Sequence, residues 1–166
     1  MALSKYGGPF QNCKDPGNRN LGVTGPSRGI GAVAVIKLAE QGTHIIVNYV
    51  AAADAAEEVV EKTRELGVKC FAIQVDVSIE TQAQHMFKVA MQEFGRLDFV
   101  ISNSGIEHFG VMGEVRGDDI DRVLGTNVKG QYFVAQEAYK HLSDHGRLIL
   151  TSSISAQKVT DSALWT

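Results

Sequence analysis

The sequence predicts a doubly wound parallel α/β sheet, and three observations carry the prediction. Short β-branched runs alternate with amphipathic stretches of helix length. A glycine follows most of those stretches, in the place of a left-handed cap. Between the first strand and the first helix lies a glycine-rich turn, Thr24-Gly25-Pro26-Ser27-Arg28-Gly29-Ile30-Gly31.

Length and composition bound the rest. A chain of 166 residues with 44% hydrophobic content can bury one real core, and no composition shift divides it. Residues 1–20, with Gly7-Gly8-Pro9 and Asp15-Pro16-Gly17, are expected to form an irregular leader, and residues 21–166 a single domain. The net charge of −3, with Lys and Arg scattered, offers no basic face and argues against nucleic acid as a partner. No signal-peptide or membrane-spanning run is present, and Cys13 and Cys70 are too far apart in sequence to suggest a disulfide framework. A reducing, cytoplasmic location is expected.

Each element has its own warrant. Leu21 to Thr24 reads as the first strand, weakened by Gly22. The first helix, about Gly29 to Gln41, is apolar nearly all round (Ile30, Val33, Ala34, Ile36, Leu38), as expected of a helix buried between sheet and neighbours, and Gly42 caps it. His44 to Tyr49 holds the continuous run Ile45-Ile46-Val47, suited to a strand covered on both faces. A helix from Ala53 to Leu66 ends at Gly67, and a third strand runs from Val68 to Val75.

Ser78 is expected to cap the third helix. Along it Ala83, Met86, Phe87, Ala90, Met91 and Phe94 form one apolar stripe, ended by Gly95, so its methionines belong to the core. The fourth strand, Leu97 to Ser102, opens into a loop from Asn103 to about Gly117, where function tends to sit. A helical stretch from Asp118 to Leu142, interrupted near Gly125, precedes the fifth strand, Arg147 to Ser152. The expected sheet is Rossmann-like with about five strands, C-terminally truncated relative to the full fold.

The glycine turn points to a dinucleotide. Gly25, Gly29 and Gly31 allow a tight turn and close approach to a pyrophosphate, and the helix that follows offers free N–H groups and its positive dipole end. Asn48 stands nineteen residues after Gly29, where NAD-binding sheets place an acid for the ribose hydroxyls. An amide there does not repel a 2′-phosphate, and Arg28 is a fork-shaped phosphate partner, so NADP(H) is expected rather than NAD. Tyr49 adds a hydroxyl. Asp76 after the third strand and Asn103-Ser104-Gly105 after the fourth bring polar groups to the same sheet edge, Asp76 for an adenine amino group and Gly105 beside a ribose.

Thr24 to Gly31 matches TGxxxGxG, and with Asn48-Tyr49, Asp76-Val77, Asn103-Ser104-Gly105, Thr126-Asn127-Val128-Lys129-Gly130 and Thr151-Ser152-Ser153 the chain resembles the short-chain dehydrogenase/reductase family from Leu21 to Ser155. Ser102 to Ile106, Gln131 to Tyr139 and Gly146 to Ser153 resemble, within it, fungal aromatic-polyketide ketoreductases, the hydroxynaphthalene and versicolorin reductase group. That resemblance implies NADPH-dependent reduction of a polyphenol ketone in secondary metabolism, with Ser27 and Ile30 of the turn and Val77 also against the cofactor. It implies Ser153 on the substrate carbonyl and Asn127 ordering a proton-relay water.

The family's proton-donating tyrosine and the lysine four residues on, YxxxK, are absent: Tyr6, Tyr49, Tyr132 and Tyr139 are followed at that distance by Phe10, Ala53, Gln136 and Ser143. Ala163-Leu164-Trp165-Thr166 resembles the stretch leading into the tyrosine and sets Trp165 in its place. An indole N–H is donor only. A general acid is worth roughly 10² to 10⁴ in rate, so the expectation divides between a ketone reductase and a catalytically dead remnant that binds NADP(H) or a partner subunit. The resemblance further implies a homo-oligomer, weakened by the missing C-terminal helix, and an uncovered fifth strand.

Other constellations are set aside. Glu114, Asp118, Asp119 and Asp121 sit where a helix N-terminus favours acids, and no metal is expected of them. His44, His85, His108, His141 and His145 have no ligand spacing, and Ser152-Ser153 has no nucleophile elbow.

Overall fold

A computed structural model describes residues 19–153. Strands β1 (Arg19–Thr24), β2 (Thr43–Tyr49), β3 (Cys70–Gln74), β4 (Leu97–Ser102) and β5 (Leu142–Leu150) form one sheet in the order β3-β2-β1-β4-β5. Every neighbouring pair is parallel. The helices are α1 (Gly29–Ala39), α2 (Ala53–Arg64), α3 (Glu80–Phe94), α4 (Gly117–Leu124) and α5 (Gln131–His141). A π-helical turn, Gly125–Gly130, joins the last two.

The alternation of β2 builds two cores. Ile45 and Val47 pack with Val35 and Ala39 of α1 and Ala56, Val59 and Val60 of α2. Ile46 faces the other way, into Met86, Phe87 and Ala90 of α3 and Val134 and Ala138 of α5. A side-chain period of two therefore covers the sheet on both sides, as the apolar run in β2 requires.

The local expectations hold at most element ends. Gly42, Gly67 and Gly95 all take positive φ after their helices. The α3 stripe is core: Ala83, Met86, Phe87 and Ala90 are buried, with Met91 and Phe94 packed against them. The interruption expected near Gly125 is the π turn, where a wider backbone ring breaks the α register.

Five expectations are corrected. Helix α1 is not buried all round: Ile30 is 82% and Val33 60% exposed, because only the face with Gly31, Val35 and Ala39 meets the sheet. Ser78 does not cap α3, whose cap position is Ile79; the Ser78 hydroxyl donates instead to Asp76 Oδ1 at 2.7 Å. Strand β1 begins at Arg19, so the last two residues of the expected leader are in the sheet. Strand β3 is shorter than expected at both ends. Strand β5 begins at Leu142, with a register irregularity against β4 before regular pairing starts at Arg147, and it ends at Leu150. His145, at φ 69°, sits inside that irregularity. Cys70 is buried at the start of β3 and Cys13 lies outside the described residues.

Candidate cofactor site at the carboxyl edge of the sheet

Strands β1 and β4 are neighbours, and from them the strand order runs outward in opposite directions. Such a switch point opens a crevice at the carboxyl ends of the strands. The glycine turn lies there. Gly25 and Gly29 have φ of 65° and 58°, a region that favours glycine. At Gly31 a Cβ would meet Asn103 Nδ2 and Pro26 Cα at 2.8 Å each, so the helix start and the β4 loop approach as closely as a glycine permits.

A residue not singled out from the sequence holds this junction. Thr24 is fully buried, and its Oγ1 accepts from the N–H of Asn103 at 2.9 Å and of Ser104 at 3.0 Å. Asn103 Nδ2 donates to the Gly25 carbonyl at 3.3 Å. The loops after β1 and β4 are thus tied together by one threonine and one amide. The signal was in the sequence, in the threonine that opens TGxxxGxG.

Arg28 occupies the cap position of α1 in extended conformation, exposed and making no side-chain cap bond. The first turn of α1 holds no acid. Among the described residues no capping side chain takes its N–H groups, an arrangement that suits a phosphate. Ser27 is half-buried in the turn and Ile30 projects from it.

Asn48 does not face the crevice. It is 1% exposed, and its Nδ2 donates to the Val75 carbonyl at 2.7 Å, so direct contact with a ribose phosphate is not what this side chain is placed for. Tyr49 is partly buried against the α1–α2 core. Val77, 2% exposed, belongs to the opposite core, which leaves only its backbone for a ligand. Asp76 is half-buried; its Oδ1 accepts from Ser78 N–H and Oγ. A Cβ at Gly105 would meet only Asn127 Oδ1, at an ordinary 3.7 Å.

The family profile of short chain dehydrogenases matches residues 19–163. The chain belongs to that family. Versicolorin reductase 1 of Dothistroma septosporum is 48% identical over 134 residues, covering 81% of this short-chain dehydrogenase and 51% of the relative. Elsinochrome reductase 1 of Elsinoe fawcettii is 45% identical over 135 residues, with the same coverages. Among solved structures, a short chain dehydrogenase from Burkholderia cenocepacia in complex with NADP superposes with a TM-score of 0.86 at 33% identity, over 90% of this chain and 61% of that one. This short-chain dehydrogenase spans about half the length of the curated relatives it matches.

Within the short-chain dehydrogenase frame the two described catalytic candidates are in different circumstances. Ser153 is half-buried just beyond β5, after Thr151, whose N–H donates to the Ser102 carbonyl at 3.0 Å. Asn127 lies in the π turn with both side-chain atoms engaged on Ile106. Each of these atoms makes one bond there, Oδ1 to the Ile106 N–H and Nδ2 to its carbonyl. Trp165 lies outside the described residues.

The acids at the start of α4 act as helix-end groups. Asp119 accepts from the Arg116 N–H at 3.3 Å and lies 3.7 Å from His108. No group of three or more potential metal ligands occurs among the described residues. Nor is any described helix long and apolar enough to cross a membrane.

Proposed function

We propose that the chain forms the coenzyme-binding half of an NADP(H)-dependent ketone reductase that acts on an aromatic polyketide. The observation that carries this reading is the uncapped, acid-free start of α1 behind Gly25 and Gly29, with Arg28 exposed beside it. Peptide N–H groups there would take the diphosphate, and Arg28 the 2′-phosphate. Asp76 and the Asn103-Ser104-Gly105 loop line the adenosine and ribose side. The NADP complex of the Burkholderia protein and the names of the fungal relatives support the coenzyme and substrate class.

NADPH, when bound, supplies the hydride. Ser153 polarises the ketone, and Asn127 holds the π turn and the Ile106 loop in place for it. No Tyr-x-x-x-Lys occurs in the 166 residues. A second reading, for these 166 residues by themselves, is coenzyme binding without turnover.

NADPH fluorescence titration followed by assay on a tetralone tests both. Saturable binding with ketone-dependent oxidation supports the reductase, and binding without oxidation supports the second reading. No binding at millimolar coenzyme contradicts both.

A further inference from the structure

Asn48 stands at a strand tip, yet it is buried and points between β2 and β3. Besides its 2.7 Å bond to the Val75 carbonyl, Nδ2 lies 3.4 Å from the Tyr49 carbonyl and 3.5 Å from that of Ile73. Its Oδ1 is buried with no partner among the described residues. An orphaned buried acceptor costs stability. The amide is therefore held here through Nδ2 alone.

The residue after Val75 is Asp76, and its N–H donates to Gln82 Oε1 at 2.8 Å. The Asp76 carboxylate receives Ser78 N–H at 2.9 Å and Ser78 Oγ at 2.7 Å, both on Oδ1, and Oδ2 takes no hydrogen bond from the described residues. The turn from Val75 to Ser78 is thus tied from two directions. Asn48 holds it from the neighbouring strand and Gln82 from the first turn of α3.

We propose that Asn48 and Gln82 are positioning residues for the adenosine half of the coenzyme: they fix the Asp76 turn, and neither reads the 2′ position. This rests on the nicotinamide-coenzyme reading above and departs from the usual rule for the end of β2. A carboxylate at position 48 would face three backbone carbonyls, so Asn48→Asp brings repulsion without gaining a ribose hydroxyl.

The test uses the 166-residue chain with Asn48→Leu, Asn48→Asp and Gln82→Leu. Gln82 lies half-exposed on α3, so its variant keeps the question answerable if a change at Asn48 prevents folding. NADPH and NADH are titrated by fluorescence, and hydrogen exchange at the Asp76 to Ser78 amides is read without coenzyme.

The expected result is that both Leu variants weaken the two coenzymes by the same factor, about three- to thirtyfold, with faster exchange in the turn. Asn48→Asp gains no NADH affinity. Stronger NADH binding by Asn48→Asp, or loss confined to NADPH in Asn48→Leu, would make residue 48 a direct reader and overturn the proposal. Unchanged affinities in the Leu variants would overturn it as well. If the wild-type chain binds neither coenzyme, it is the nicotinamide reading that has failed, and the positioning role goes with it.

Discussion

Asn127 grips the backbone of Ile106 at both of its polar atoms: Oδ1 accepts from the Ile106 N–H at 2.9 Å, and Nδ2 donates to the Ile106 carbonyl at 2.8 Å. The π turn thereby fastens the loop that leaves β4, twenty-one residues earlier in the chain. Asn127→Leu keeps the shape and removes both bonds, leaving the Ile106 N–H and carbonyl without these partners. Its expected cost is about 1–3 kcal/mol in urea unfolding. A loss under about 0.3 kcal/mol would contradict the clamp.

Gly31→Ala tests the junction of turn and β4 loop. Its Cβ would sit 2.8 Å from Pro26 Cα, a backbone atom that yields only if the turn moves. The expected outcome is a destabilisation of about 1–3 kcal/mol together with a loss of coenzyme affinity of at least tenfold. Affinity unchanged from wild type would separate the turn from the binding site.

Gly22→Ala runs the other way. No atom lies within 4 Å of the added Cβ, which enters a small apolar cavity lined by Ile46, Met86, Phe87, Ala90, Leu97 and Val100. Restricting the unfolded chain and filling the gap should stabilise by about 0.5–1 kcal/mol, seen as a Tm higher by about 1–4 °C. A lower Tm would show that the cavity has no room.

Burial pushes the Cys70 thiol up to about 11, only partly offset by a Thr63 hydrogen bond and the Arg64 charge. Because the folded value lies above the ordinary 9.0, the stability from a neutral thiol is whole below pH 9 and is lost between pH 9 and about 11. In a Cys13→Ser background, Cys70 should resist a thiol reagent at pH 8 until urea unfolds the chain, and Cys70→Ala should flatten the alkaline loss of stability. Rapid labelling of the native protein would contradict this.

Arg28 carries the predicted coenzyme preference. Arg28→Ala should weaken NADPH by roughly 10- to 100-fold, the value of a charge-assisted phosphate contact, and change NADH by less than about threefold. Equal losses for both coenzymes would place Arg28 on the diphosphate instead.

Much of this architecture is legible in residue order. The glycine turn, the α3 stripe and the helix-ending glycines are set by local rules of period and φ, and these elements appear where the residues put them. What the order hides is direction. Ile30 and Val33 look like core on a helical wheel, but only the neighbours in space decide which face of α1 is covered. Asn48 sits at the expected strand tip, yet the pleat turns it inward to the Val75 carbonyl, which no spacing reveals.

Partners taken locally are hidden too. Ser78 has the composition of a cap but spends its hydroxyl on Asp76, two residues back. The early start of β5 has a similar origin. Leu142 pairs with Leu97 before the irregularity at His145-Gly146, which reads in sequence as a break. At the site, Gln82 and Ile106 are structural partners of the residues that motifs single out, and only contact geometry identifies them, whereas Thr24 opens the TGxxxGxG motif itself.

Amide chemical shifts recorded while NADP+ is added to the isotopically labelled chain address the binding turn itself. Saturable shifts are expected at Ser27, Arg28, Gly29, Ile30 and Gly31, with a second group at Asp76 and Val77. Lys69, Cys70 and Phe71, which line a cavity at the amino end of β3, should stay unmoved. Shifts confined to that cavity, or none at millimolar coenzyme, would contradict the nicotinamide reading.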